Sequence, residues 1–264
     1  MTGRADAVTG SEPVAPGIAE HTAGGVTVRG VDLVGELVGR RSYAESLYLL
    51  LCGRLPAPGE AAVLDACLVT LMEAGLNASS VVARVTAAAQ PRFPQAAIAA
   101  GLLTVGDRYV GSVQACGELL AAAPSDADGR RRHCREVVAE HRARRAALPG
   151  FGHGTHAAED PRATRLREIA TQTGVAGRHL AVLDDLSAAL DEAVGRHVVV
   201  NVTGAMAAGL LDAGLPCDAL TGVAAVSRCG GLAAHVLEEA HAPAGDRIWQ
   251  LARDRIGAKE GHTT

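Results

Sequence analysis

Apolar side chains recur along this chain at helical spacing. Tyr43, Leu47, Leu50 and Leu51 stand at i, i+4, i+7 and i+8 and form one apolar face that stops at Gly53. Leu183, Leu186, Leu190 and Val194 repeat the pattern and end before Gly195. Alanine-rich stretches around 60–75, 78–90, 94–104, 113–123, 205–213 and 231–240 continue it. Their small side chains let helices approach closely at modest entropy cost. Strand-like runs are few: residues 25–29 predict a short hairpin arm, and the β-branched run 197–202 predicts at most a short strand. The pattern as a whole predicts an all-α protein of ten or more helices without an internal repeat.

Composition narrows the function classes. With 264 residues and 48% apolar side chains the chain can bury a large core in one domain or two unequal lobes, without disulfide or metal staples. A net charge of −4 argues against a nucleic-acid or polybasic membrane partner, and six aromatic residues are too few for base-stacking platforms. Lys259 is the only lysine and sits in a polar tail, which removes Schiff-base chemistry from an ordinary active site. The remaining fixed cations are arginines, suited to planar, bidentate recognition of carboxylate or phosphate. Six scattered cysteines without CxxC spacing point to reduced thiols in a cytoplasmic protein, and no metal is expected. No apolar run is expected to approach the ~20 residues of a membrane span. Residues 1–20 lack the apolar segment of a secretory signal and read as a flexible arm.

Four stretches could carry chemistry, and each also has a plain structural explanation. Asn77-Ala78-Ser79-Ser80 leads into Arg84, and reads as a helix cap or as a polar wall of a site. Asp107-Arg108-Tyr109 lies between glycines that permit close backbone approach to a ligand or simply mark a helix corner. Gly150-Phe151-Gly152-His153-Gly154 is followed by His156 and Asp160-Pro161-Arg162. A histidine between glycines is badly placed for a core, so its ring is expected to face a cleft. With the arginine nine residues on, it could hold a carboxylate and polarise a carbonyl. The fourth stretch combines Asn201-Val202-Thr203-Gly204 with Ser227-Arg228-Cys229-Gly230-Gly231 and His235, where Arg228 is read at the polar start of an apolar helix.

Taken in order, these pieces resemble the citrate synthase superfamily, nearest its short citryl-CoA lyase branch, as in the C-terminal module of ATP-citrate lyase. Residues 42–56 are similar to SFxEVxYLLLxGxLP, Asn77 to Arg84 to NASTxxAR, and Gly101 to Gly111 to GLLTIGDRFGG. Gly150–His153 with Asp160-Pro161-Arg162 matches GxGHRVYxxxDPR at both ends, while Asn201-Val202 and Arg228 to His235 resemble NVDG and R-x-x-G-x-x-A-H. The resemblance implies a large helical lobe (21–111 and 201–264) and a small one (112–200), usually within a homodimer. It implies a C–C lyase or acyltransferase that joins an acyl-CoA to a 2-oxo acid or dicarboxylate, or reverses that step. Coenzyme A is then substrate or product, with Phe151, Gly152 and Gly154 beside it. Arg162 and Arg228, with Asn77 and Arg108, would bind substrate. His153, Asp107, Tyr109 and Thr203 would fall at the reacting atoms, with His153 donating to the 2-oxo acid's carbonyl or alkoxide oxygen.

The departures from the family pattern matter as much. Glu73-Ala74-Gly75 stands where DHE or DHG is usual, so a substrate-binding histidine is missing. Tyr109 takes the place of the enol-stabilising histidine of the synthases, where the lyase branch carries phenylalanine. Gly154 replaces the arginine of GHR. Thr203 replaces the aspartate that serves as α-proton base, and a hydroxyl is not ionised near neutral pH. Losing such a group costs roughly 10²–10⁴ in rate. The sequence therefore predicts an enzyme on a non-standard substrate, with Asp107, Glu73 or His156 standing in as base. Its alternatives are a non-catalytic acyl-CoA- or partner-binding member and a thioester hydrolase using the same pocket. The arginines at 130–145 are expected either to meet coenzyme A phosphates or to form a solvated helix face paired with Glu136 and Glu140.

Overall fold

The computed structural model of the chain describes residues 17–106, 112–152 and 158–257. The chain divides into two compact units, 1–56 and 57–264, at a boundary the sequence pattern did not mark. In the first unit, strands β1 (Ala19–Thr22), β2 (Gly25–Val28) and β3 (Val31–Asp32) form an antiparallel sheet in that order. Ala19 and Glu20, expected in the loose arm, instead pair with Val28 and Thr27. Helix α1 (Tyr43–Cys52) starts on a capping box: Ser42 Oγ accepts from Glu45 N, and Ser42 N donates to Glu45 Oε2 at 2.8 Å. It ends, as expected, at Gly53 in the left-handed region (φ 73°). Arg29 holds an unusual φ of 50° while its Nε and Nη2 both donate to Leu50 O, at 3.2 and 3.0 Å. A cation on the last turn of α1 satisfies an orphan carbonyl and complements the helix dipole.

The second unit is helical: α2 (Pro58–Met72), α3 (Ala78–Ala89), α4 (Pro94–Leu102), α5 (Ser112–Ala121), α6 (Ala127–Ala143), α7 (Pro161–Gln172), α8 (Arg178–Val194), α9 (Val202–Asp212), α10 (Leu220–His241) and α11 (Gly245–Gly257). Every residue of α9 from Val202 to Leu211 is buried, so this helix, apolar around its circumference, is the central rod. It packs on α5, α7 and α8, while α10 packs on α2, α3 and α4. Alanines make the α3–α4–α10 contact tight: Ala83, Ala87 and Ala97 meet Leu232 and Val236. Gly101 on α4 lets the two helices close, since a Cβ there would lie 2.8 Å from Ser79 O.

Three expectations change. Residues 197–202 form no strand, only a single antiparallel bridge between Val200 and Phe151. Val198 N is taken by Asp191 Oδ1 at 2.7 Å and Asn201 already caps α9, so no run of ladder bonds remains. Arg228 does not sit at a helix start. Helix α10 begins at Leu220, which places Arg228 in its third turn, beyond the reach of N-terminal dipole effects. Finally, Cys217–His241 is long and apolar enough to cross a bilayer by length and composition alone. It carries buried Ser227, Arg228 and Glu239 and packs inside the helical unit, as a core helix does.

The arginine-rich segment is α6, and it is partly a solvated face. Arg144 pairs with Glu140 at i,i+4, Arg131 with Asp128, and Arg130 with Asp185 across to α8. All six cysteines carry free thiols, and burial pushes those of Cys67 and Cys116 up to about 12.

Helix α8 lacks a cap of its own because Gly177 stands at the N-cap position. Asp212, from the end of α9, supplies it: Oδ2 accepts from Gly177 N (2.8 Å) and Leu180 N (3.0 Å), and Oδ1 from His179 N (2.9 Å) and His179 Nδ1 (2.8 Å). Burial opposes its charge, but the His179 ring and the three amides outweigh burial and hold the carboxyl below the usual range. A depressed carboxyl contributes stability that is present above its unfolded value near 3.9 and lost as pH falls through the folded one. Asp212→Asn is expected to cost about 1–3 kcal/mol at pH 7. It should also flatten the acid side of a melting-temperature profile between pH 7 and 3. An unchanged profile would show that the cap carries no stability.

Candidate functional site

Two groups of polar residues lie within the helical unit. The first forms where α7 and α9 begin. Asp160 is fully buried and caps α7, with Pro161 at the first helical position. Its Oδ1 accepts from Arg162 N (3.1 Å) and Nε (3.0 Å), and its Oδ2 from Arg162 Nη2 (2.9 Å) and Val202 N (3.0 Å). Burial works against the charge, yet the Arg162 guanidinium and these amides keep the carboxyl low. One carboxylate thereby fixes Arg162 and ties together two helix starts.

Asn201 caps α9 and anchors the loop before it. Its Oδ1 accepts from Thr203 N (3.1 Å), Gly204 N (3.2 Å) and Thr203 Oγ1 (2.7 Å), while its Nδ2 donates to Gly152 O (2.9 Å). Asn201 N donates to Gly150 O at 3.0 Å, and Gly152 N to Val199 O at 2.8 Å. Gly150 and Gly152 both take positive φ, and a Cβ on Gly204 would stand 2.5 Å from Gly150 O. Residues 150–152 are therefore held against the start of α9. Phe151 and Gly152 line a cavity of about 300 Å³ with Val138, His141, Arg142 and Arg196. Thr203 is buried; its hydroxyl donates to Asn201 and accepts from Ser112 Oγ at 3.2 Å.

The second group lies on α10, where Arg228, Gly231 and His235 share one face at i, i+3 and i+7. A Cβ at Gly231 would overlap the backbone carbonyl of Met72, so the end of α2 rests directly on this face and delivers Glu73 to it. Glu73 Oε1 accepts from His235 Nε2 (3.0 Å), Ala74 N (2.9 Å) and Gly75 N (2.5 Å). Behind His235, Arg84 of α3 donates from Nε to His235 Nδ1 at 3.0 Å. With Nδ1 accepting, the ring proton sits on Nε2 and points to Glu73. Arg84 also pairs with Glu239 at 3.1 Å and with Glu238. Arg228 is buried, and its Nε has no hydrogen-bond partner among the described residues. Burial lowers the Arg228 pKa, and Glu73 is the opposing charge that supports its cationic form.

The structure brings Phe151, Gly152, Arg162 and Thr203 together, and places Arg228 beside Glu73. Asp107, Arg108, Tyr109, His153, Gly154 and His156 lie outside the described residues. Asn77 serves as the cap of α3: its Oδ1 accepts from Ser79 N, Ser80 N and Ser79 Oγ at 3.0, 3.3 and 2.6 Å. Glu73 is a poor stand-in base. Burial would raise its carboxyl, but the His235 hydrogen bond and the turn amides prevail and lower it. Asp160 and Ser112 were not read from sequence as site-building residues. The Asp-Pro cap signature could have flagged the first; nothing local marks the second.

Residues 29–252 match the family profile described as citrate synthase, C-terminal domain. The chain belongs to the citrate synthase family. Citrate synthase of Haloferax volcanii is 30% identical over 200 residues, covering 75% of this chain and 52% of that protein. A Synechocystis citrate synthase is 28% identical and is covered over 49% of its length. The chain thus spans about half the length of these curated relatives. The solved citryl-CoA lyase of Hydrogenobacter thermophilus superposes with a TM-score of 0.77 at 29% identity, covering 86% of this chain and 87% of that one. ATP citrate lyase of Methanothrix soehngenii, solved with citrate and coenzyme A, shares the fold (TM-score 0.76, 18% identity, 89% of this chain, 40% of that one).

Two glycines of α10 separate close packing from helix propensity. Gly222 is exposed with open space around its Cβ position, whereas Gly231 abuts Met72. Gly222→Ala should stabilise by up to about 1 kcal/mol. Gly231→Ala should destabilise by about 3 kcal/mol, the upper end for overpacking, because backbone cannot yield as a flexible side chain does. Denaturant titration of both variants checks this, and equal effects would contradict the contact.

Proposed function

We propose that this protein forms or cleaves a carbon–carbon bond between an acyl-CoA and a 2-oxo acid, on a substrate other than that of ordinary citrate synthesis. The observation that carries the reading is Arg228: a buried guanidinium with an unpartnered Nε, which a substrate carboxylate would satisfy. Arg162, oriented by Asp160, adds a second cation for the same acid. His153, carried by the chain leaving Gly152, donates to the oxygen that becomes an alkoxide. The coenzyme A half lies along Phe151 and Gly152, continuing into the adjoining groove of about 550 Å³ lined by Arg135 and Arg142.

In the forming direction a base removes the proton α to the thioester, and that carbon bonds to the ketone carbon of the acid. The ketone oxygen then takes a proton from His153, and the thioester stays intact. Cleavage runs the same steps backwards. Thr203 supplies no base, because its hydroxyl already donates to Asn201. Asp107 or His156 takes that role. The working form is a homodimer, in the cytoplasm. The engaged Thr203 also favours a second reading, a family member that binds an acyl-CoA without turnover.

The test is a mass-spectrometric screen of acyl-CoAs with 2-oxo acids in both directions, beside calorimetry on Arg228→Gln. We expect a hydroxyacyl-CoA adduct, and acid binding weakened at least about tenfold in the variant. Adduct-free mixtures with intact CoA binding would select the non-catalytic reading. Unchanged acid binding in Arg228→Gln would remove Arg228 from the site.

A further inference from the structure

The charges around Arg228 say which acid fits. Two guanidiniums, Arg84 and Arg228, face three carboxylates, Glu73, Glu238 and Glu239, and leave one surplus negative charge on this side of α10. Arg84 is fully matched by Glu238 and Glu239, and the His235 ring, accepting at Nδ1, carries one proton only. Arg162 is matched in turn by buried Asp160. Among the described residues Arg228 is therefore the buried cation of this group that no carboxylate touches, and Glu73 stands beside it.

Glu73 cannot easily turn away. Its Oε1 is held by three donors, and its Oε2 lies 2.9 Å from where a Gly231 Cβ would project, over the face that bears Arg228. The next residue is Ala74, a methyl group that offers nothing to an anion, where the family pattern resembled by this stretch has a histidine.

We propose that the acid half of the substrate is a 2-oxo acid with a single carboxylate, and that Glu73 is the specificity-determining residue that excludes acids carrying a second one. The inference rests on the carboxylate-binding role given to Arg228 above. One carboxylate pairs with Arg228; a second would approach Glu73, while Arg162, the other guanidinium given to the acid, is already paired with Asp160. The remainder of the acid is accordingly uncharged.

The test uses a matched pair of probes, pyruvate and oxaloacetate, which differ by one carboxylate. Calorimetry in the presence of coenzyme A compares the intact protein with Glu73→Gln, Glu73→Asp and Arg228→Gln. Glu73→Gln keeps an oxygen for His235 Nε2 and removes only the charge. The intact protein should bind pyruvate more tightly. Glu73→Gln should improve oxaloacetate binding about 10- to 50-fold, as expected for removing one like charge at close range, and leave pyruvate within about threefold. Glu73→Asp, still charged, should keep the preference.

Tighter oxaloacetate binding by the intact protein, weakened in Arg228→Gln, would overturn the selectivity and leave the carboxylate site standing. Equal gains for both probes in Glu73→Gln would also overturn it, since Glu73 would then be a general counter-charge. Failure of both probes to bind the intact protein would overturn the selectivity and the site together. Thermal melts accompany each variant, and the ratio of the two probes on the intact protein decides even where a variant fails to fold.

Discussion

Asp160 is fully buried, and its two oxygens accept four hydrogen bonds from Arg162 and Val202. Moving a carboxylate out of water costs several kcal/mol, which only close pairing with good geometry offsets. That condition couples otherwise separate things. The start of α7, the start of α9 and the Arg162 guanidinium must all be in place at once. Asn201, one residue before Val202, then extends the constraint to Gly150 and Gly152. The segment ending at Gly152 is thus positioned by backbone bonds to a rigid central helix.

Helix α10 organises the other group by a different means. Its apolar residues pack into the unit, while Arg228, His235 and Glu239 recur at i, i+7 and i+11 on the side that meets α2 and α3. Gly231 lets the α2 backbone come close enough to place Glu73 on that side, and Arg84 reaches from α3 to orient His235. The same cluster that gives α10 its buried polar face leaves Arg228 Nε without a partner among the described residues. A folded protein keeps an unsatisfied buried guanidinium only at a cost. A binding function is a physical reason to carry that cost.

Asn77, which reads as a helix cap or as a polar wall of a site, caps α3, and Asn201 caps α9. Asn77 and Asn201 both accept from two amides and a hydroxyl at the first turn of a helix. The local signals for a cap and for a polar site are the same residue types, Asn, Ser and Thr, and spacing cannot separate them. Thr203 shows the difference most clearly. Where the family pattern has a base, this chain has a hydroxyl absorbed into the cap of α9. By contrast Arg228 lies in mid-helix, so no helix-terminus explanation accounts for it.

Periodicity alone determined the helical class, the extents of most helices and the stops at Gly53 and Gly195, because these depend on contacts within a few residues of each other. Ordered motifs also determined family membership. Tertiary structure decided what the motifs do. The start of α10 eight residues before Arg228, the transfer of the α8 cap to Asp212 and the capture of Arg162 by Asp160 and of Glu73 by His235 all depend on side chains meeting across helices or short turns. Which groups meet, and which one is left without a partner, is set by packing in three dimensions, and no window of sequence records it.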